Sequence, residues 1–314
     1  VAVRLTPLRA LGVAPFLLYA IFVAWHGNLR WDHAAVALLA VVLGFGGPRA
    51  HRLFKGICPL GLTAVLYDSL HYLGGLGVTE SSVHVCDLRS LELALFGIRS
   101  GARLLTPSDF FQAHSVVALD VFCSIPYAVF LYACVAFVVA TSFRDSHAMR
   151  RFGWAFFVST LVAVVVHHVA PTAPPWYEHL HGCVVDTSAR ANEGPNLARV
   201  DALLGTSYFT SMYRRSSDVF GALPSLHVVY PVLIALEGWA IFGRWFRIGA
   251  VVFAVWMCFA AVYLDHHWVV DVAAGLVLAA SVFVSVRVAE LKGRALLGGA
   301  SPTSRDQRQP ARTA

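Results

Sequence analysis

The sequence predicts an all-α fold: a polytopic membrane helical bundle of about eight transmembrane helices. Three observations predict it. Of 314 residues, 58% are hydrophobic and only 13% charged, against about 25% charged in an ordinary soluble domain. Mean hydropathy is +0.66. Apolar runs approaching the roughly 20 residues a span requires recur from one end to the other, so the chain reads as one bundle.

The spans follow in order. Residues 8–26 form a long apolar run with no small-residue cleavage site after it, and are expected to stay as a span. Residues 33–47 make a short second one. The third, 57–76, carries Asp68 and His71; a carboxylate in such a run is expected to find a partner, or to mark a partly re-entrant segment. The outer segment 77–115 contains "VCDLRSLELALFGI". Its apolar residues recur every three or four positions, as in an amphipathic helix lying on the interface or a short helix packed on the bundle. Spans at 116–141, 154–170, 219–242, 248–265 and 268–286 complete the set. Asp120 and Glu237 lie within them without an assigned role. The expected division is 1–115 for the N-terminal spans and outer loop, 116–290 for the main helical core, and 291–314 for a disordered cytoplasmic tail. That tail is rich in Gly, Pro, Ser and Arg.

Net charge is +6, almost all of the positive side chains being arginine; Lys55 and Lys292 are the exceptions. This bias, with Val at position 1, points to a GC-rich bacterial gene and so to a bacterial cytoplasmic membrane. No basic run sits beside an aromatic platform, so no nucleic acid partner is expected. With the N-terminus in the cytoplasm, Arg and Lys favour the inner segments by two to one. The positive-inside rule then sets both termini inside. The loop 171–218 and the starts of the sixth and eighth spans fall on the extracytoplasmic face. The six cysteines form no CxxC pair, which argues against zinc. Cys86 and Cys183 both fall outside, where a disulfide is permitted.

The polar residues gather on that outer face. Residues 263–275 read "YLDHHWVVDVAAG". On a helix, positions four apart share a face, so Asp271 can orient His267 by accepting from one ring nitrogen. The other nitrogen is then left lone-paired, as a nucleophile requires. His266 is five positions from Asp271 and points elsewhere. Residues 220–229 read "FGALPSLHVV". Pro224 and Ser225 suit a helix start, where free N–H groups favour an anion, and His227 falls in its first turn. A carboxylate-held histidine facing a second histidine across a helix N-terminus suits phosphoryl transfer: His267 attacks phosphorus, and His227 serves as general acid and then base. Around them, Ser225, Arg214, Arg215, Trp176, Tyr177 and His168 are candidate phosphate- or substrate-binding residues. Arginine matches phosphate oxygens; Trp176 and Tyr177 suit the membrane interface. The bland alternatives are a histidine–carboxylate pair that pins helices, arginines attracted to headgroups, and a proline-stiffened structural loop at "PTAPPWY". No cofactor and no metal are called for. Asp265 and His266 have no role beyond marking the end of a span.

Three stretches carry a resemblance: "APPWYEHLHG", "NLARVDALLGTSYFTSMYRRSSDVFGALPSLH" and "YLDHHWVVDVAAG". In order and spacing they resemble the fungal inositol phosphorylceramide synthase (aureobasidin-resistance) branch of the type 2 phosphatidic acid phosphatase superfamily. The resemblance covers about residues 170–280. It implies a type 2 phosphatidic acid phosphatase-like core, a triad of His227, His267 and Asp271, no metal, and lipid partners. The implied reaction moves inositol phosphate from phosphatidylinositol to a ceramide hydroxyl. Three departures bear on substrate choice: Val228 and Val229 where the fungal pattern has Ser-Gly, Arg214 and Arg215 where it has small polar residues, and no Lys…Arg-Pro first motif of the wider superfamily.

Three other readings compete. A lipid phosphate phosphatase would share the covalent step and use water as acceptor. A di-iron oxygenase needs several HxxH-type boxes, which this chain lacks. A transporter needs a polar path across the bilayer, whereas these histidines gather on one side.

Overall fold

The computed structural model describes residues 6–73, 78–214 and 219–298. Three helices open the chain: α1 (Pro7–Trp25), α2 (Trp31–Phe45) and α3 (Pro48–Leu73). α1 and α3 start on a proline, whose missing N–H costs nothing in a first turn. The three share a small core of Val13, Phe16, Ala40 and Phe54. Asp68 has the partners its position demands: Arg30 at 2.8 Å, His33 at 3.0 Å and the Tyr19 hydroxyl. α3 is a continuous helix, so the re-entrant alternative falls.

The main bundle is α6 (Val117–Arg144), α7 (Ser146–Val169), α11 (Leu226–Gly238), α12 (Arg244–Tyr263) and α13 (Val269–Gly298). Its core runs through Tyr127, Phe130, Phe137, Phe152, Tyr230, Leu233 and Met257. Six helices among the described residues are long and apolar enough to cross a membrane: α1, α3, α6, α7, α12 and α13. They turn large apolar side chains such as Leu18, Ile21, Val135 and Val277 outward. Solvating so much apolar surface with water would be costly, so this is an integral membrane protein. Polar anchors lie at the other end of the bundle. Glu237 of α11, fully buried, is held by Arg151 of α7 at 3.0 Å and faces Arg287 of α13 at 3.6 Å.

All eight expected spans correspond to helices, but two are short. α2 has 15 residues and α11 has 13. The stretch 219–225, expected to open the sixth span, is a non-helical, bent segment with one bridge, Gly221 to Thr172, and a cis Leu223–Pro224 bond. Its apolar side chains are buried elsewhere: Phe220 packs with Val85, Ala173, Trp176 and Tyr177. α13 also continues to Gly298, eight residues into the tail expected to be disordered.

Short elements roof the bundle at the histidine end. They are α4 (Cys86–Phe96), α5 (Pro107–Ala113), α8 (Pro175–His181), α9 (Pro195–Leu204) and α10 (Tyr208–Tyr213). A two-stranded hairpin, β1 (Ile98–Ser100) with β2 (Arg103–Leu105), is the only sheet among the described residues, and the fold is all-α as expected. Gly101 supplies the positive φ that its two-residue turn requires. Cys86 and Cys183 form a disulfide between α4 and the segment after α8. α4 is packed on the bundle, one of the two alternatives left open by its sequence. Leu88 and Glu92 face the protein, while Leu91 and Leu95 are exposed.

Candidate active site

The helix-spacing argument for His267 needs correction. α13 begins at Val269, so His267 stands in the turn ahead of it. Asp271 sits in the first helical turn and accepts from the Trp268 N–H at 2.9 Å, which closes the helix start. Its carboxylate then lies 3.5 Å from His267 Nδ1. The pairing is right, but the chain's wrap into the helix makes it.

His267 Nδ1 also lies 3.0 Å from the Ala222 carbonyl. That oxygen can only accept, so Nδ1 carries the proton and Nε2 keeps its lone pair. Nε2 faces His227 Nδ1 at 3.0 Å. His227 therefore donates through Nδ1, and its own Nε2 lies 3.5 Å from the Tyr213 hydroxyl, which can donate to the neutral ring or accept from the imidazolium. One backbone carbonyl thus sets the tautomers of both rings, leaving the lone pair on the nitrogen that a nucleophile needs.

Ser225 caps α11, and its backbone N–H donates to the Asp271 carbonyl at 3.1 Å. That bond locks the two helix starts together. Gly275 makes it possible, because a Cβ there would meet the Ser225 carbonyl at 2.7 Å. The Ser225 hydroxyl is buried with no hydrogen-bond partner among the described residues. Such an orphan costs about 1–3 kcal/mol, and this one stands at a helix N-terminus two residues before His227. The His227 ring is walled by Tyr127 and Phe130.

The remaining expected residues divide. His168 bonds its Nδ1 to the Val164 carbonyl at 2.8 Å, within its own helix. Its neighbour His167 is the buried member of the doublet. Trp176 and Tyr177 are buried in the roof rather than placed at an interface. Tyr177 ties its own loop by accepting from the Asp186 N–H at 2.6 Å. Arg214 is exposed and borders a cavity of about 780 Å³ shared with Tyr19, Arg30, His33, Asp68 and His71. That cavity does not include the histidine pair. Arg215 lies outside the described residues.

Sequence reasoning missed a second polar chain. Asp265 is fully buried; its carboxylate accepts from the Ser108 hydroxyl and from His179 Nδ1 at 2.8 Å. His179 Nε2 meets Asp109 at 2.8 Å, and Arg89 clamps Asp109 and Glu178, each at 2.8 Å. Asp109, Glu178 and His179 come close enough to suggest a cation site. The Arg89 guanidinium already provides that cation. Burial works against the Asp109 charge, but hydrogen bonds from His179, Arg89 and the Thr106 N–H outweigh it and hold the carboxyl well below the usual carboxylate range. Burial also opposes the His179 charge, yet its two carboxylate partners lift its pKa to about 10. Burial pushes the Asp265 carboxyl up and His266 down to about 4. Glu92 of α4, also buried, accepts from the N–H groups of Val269 at 2.8 Å and Val270 at 3.2 Å. An anion at a helix N-terminus is favourable, so the roof caps the very helix that carries Asp271. No local sequence pattern announces these contacts; only the DHH and PPWYEH stretches hint at them.

The profile of the PAP2 superfamily matches residues 101–285, which includes every residue of the triad. The phosphoinositol dihydroceramide synthase of Bacteroides thetaiotaomicron is 30% identical over 79% of this chain and 81% of its own length. The inositol phosphorylceramide synthase catalytic subunit of Schizosaccharomyces pombe is 30% identical over 89% of this chain and 64% of its own length. That of Saccharomyces cerevisiae is 29% identical over 75% and 57%. No solved structure matches the chain.

Proposed function

This chain belongs to the PAP2 superfamily, and on that premise we propose that it is a phospholipid headgroup phosphotransferase. Its reaction moves inositol phosphate from a phosphatidylinositol-type donor to a lipid alcohol such as ceramide. The names of its relatives support that substrate class. The observation that carries the chemistry is the 3.0 Å contact between His227 Nδ1 and His267 Nε2.

In the first step, His267 Nε2 attacks the donor phosphorus and a P–N bond forms. The bond from phosphorus to the diacylglycerol oxygen breaks, and that oxygen takes the Nδ1 proton of His227, which acts as the imidazolium and is left as the neutral ring, ready to serve as base. Bonding to phosphorus uses the Nε2 lone pair, so His227 loses its acceptor and its N–H is freed for the leaving oxygen. Asp271 and the Ala222 carbonyl hold His267 Nδ1–H and favour the positive ring that forms. In the second step, His227 takes the proton of the incoming hydroxyl. Its oxygen attacks phosphorus, and the P–N bond breaks. Ser225 and the α11 N-terminus are suited to the phosphoryl oxygens, with Arg214 and Arg215 reserved for the approaching headgroup. The charge distribution supports an extracytoplasmic site in a bacterial cytoplasmic membrane. Residues 116–290 form the catalytic unit, with the N-terminal spans and outer loop packed onto it.

Purified protein given labelled phosphatidylinositol, with and without ceramide, tests the reading. A new phosphoinositol lipid that appears only with ceramide is expected. Free inositol phosphate released regardless of acceptor would instead mean a lipid phosphatase with water as acceptor.

A further inference from the structure

We propose that Asp265 is a positioning residue for His267: its carboxylate, tied to Ser108 and His179, anchors the turn that aims His267 at His227. The inference rests on the phosphohistidine reading above.

The backbone comes first. At the end of α12, the Asp265 N–H donates to the Val262 carbonyl at 3.1 Å. The His266 and His267 N–H groups both donate to the Ala261 carbonyl, at 3.1 and 3.0 Å. This is a Schellman ending, and the residue at its left-handed position is usually glycine. Here it is Asp265, with φ +67°, the one non-glycine residue with positive φ among those described. Aspartate tolerates that conformation better than most side chains, though less well than glycine. A side chain kept at such a position calls for a reason beyond the turn.

The side chain supplies it. Both carboxylate oxygens are used, by Ser108 of α5 and His179 of α8. The Asp265 carbonyl accepts from the Trp176 N–H at 3.0 Å. His179 is in turn held by Asp109, and Asp109 by Arg89 of α4. The turn is thus pinned to three roof helices, and His267 is two residues along it. Neither Asp265 nor its partners contact the catalytic rings, so the effect acts through position. A misplacement of about 1 Å can cost on the order of a hundredfold in rate.

Asp265→Gly separates the tether from the turn. Glycine keeps the backbone conformation and relieves it, while removing the carboxylate. With phosphatidylinositol and ceramide in mixed micelles, D265G should lower kcat per folded protein by about a hundredfold, with KM near that of the parent and a melting temperature lowered by the lost contacts to Ser108 and His179. The amount of phosphohistidine trapped by rapid quenching should fall with kcat. D265N, which also tolerates a left-handed backbone and retains hydrogen bonding, should fall between the two. Ser108→Ala and His179→Gln should reproduce the kcat loss, and they carry the test if D265G does not fold. Parental kcat in D265G would overturn the proposal. So would activity losses that track the loss of folded protein in all these variants. His267→Ala is the control: activity surviving there sinks the phosphohistidine reading itself. An inactive H267A beside a fully active D265G sinks only the role of Asp265.

Discussion

His227 Nδ1 lies 3.0 Å from His267 Nε2, so the proposed acid and the proposed nucleophile are each other's hydrogen-bond partners. The arrangement is self-consistent because the Ala222 carbonyl, 3.0 Å from His267 Nδ1, dictates which nitrogen carries each proton. On the proposed mechanism, a phosphorus atom arriving at Nε2 breaks the contact, and breaking it frees the His227 N–H for the leaving oxygen.

His267→Ala should therefore remove turnover by on the order of 10⁴-fold or more, as loss of a covalent nucleophile does. The protein should still purify as a folded species. Turnover within tenfold of the parent, measured as phosphoinositol transfer, would eliminate a covalent step at this residue.

His227→Ala should cost about 10²–10⁴-fold with a diacylglycerol leaving group, the range for a lost general acid. A phosphoinositol ester of p-nitrophenol leaves without needing a proton, so its first step should be nearly spared. Burst kinetics of nitrophenol release check this. An equal loss with both donors would assign His227 to binding rather than proton transfer.

Glu92→Ala should destabilise the protein by about 1–3 kcal/mol, because it strands the buried N–H groups of Val269 and Val270. Glu92→Gln should cost less, since its amide oxygen still accepts. Thermal unfolding in detergent measures both. Unchanged melting in E92A would mean that the roof does not cap α13.

Stability should depend on pH through His179. Its pKa rises from an ordinary 6.5 to about 10 in the folded protein, where two carboxylates outweigh burial. A raised folded-state value means that the contribution is fully present below about 6.5 and is lost as pH rises through about 10. Melting temperature should decline across that window in the parent, with a shallower decline in His179→Gln. Identical pH profiles would show that the imidazolium does not support the roof.

Much of this could be read from the chain alone, for a local reason. Helices in a membrane declare themselves by apolar runs, so every expected span coincides with a helix. Asp68 needed a partner by the same logic and has Arg30, His33 and Tyr19. The boundaries failed where apolar residues served another purpose. Val219 to Leu223 read as membrane, but Phe220 and Ala222 are buried with the roof, and α11 begins only at Leu226. His168 was chosen over His167, since nothing in a doublet says which ring faces inward. Trp176 and Tyr177 read as interfacial because aromatic residues near a span usually are; here the roof buries them.

The sequence by itself determined the bundle and the identities of His227, His267 and Asp271, through hydropathy run lengths and short motifs whose members lie close along the chain. Only the tertiary structure decided how they are held. The Ala222 carbonyl that fixes the tautomers, the Ser225–Asp271 bond between helix starts, and the Ser108–Asp265–His179 anchor join residues from 45 to 157 positions apart. Hydrogen bonds of that range leave no periodicity in a sequence. They exist only once the helices have packed and the loops have closed over them.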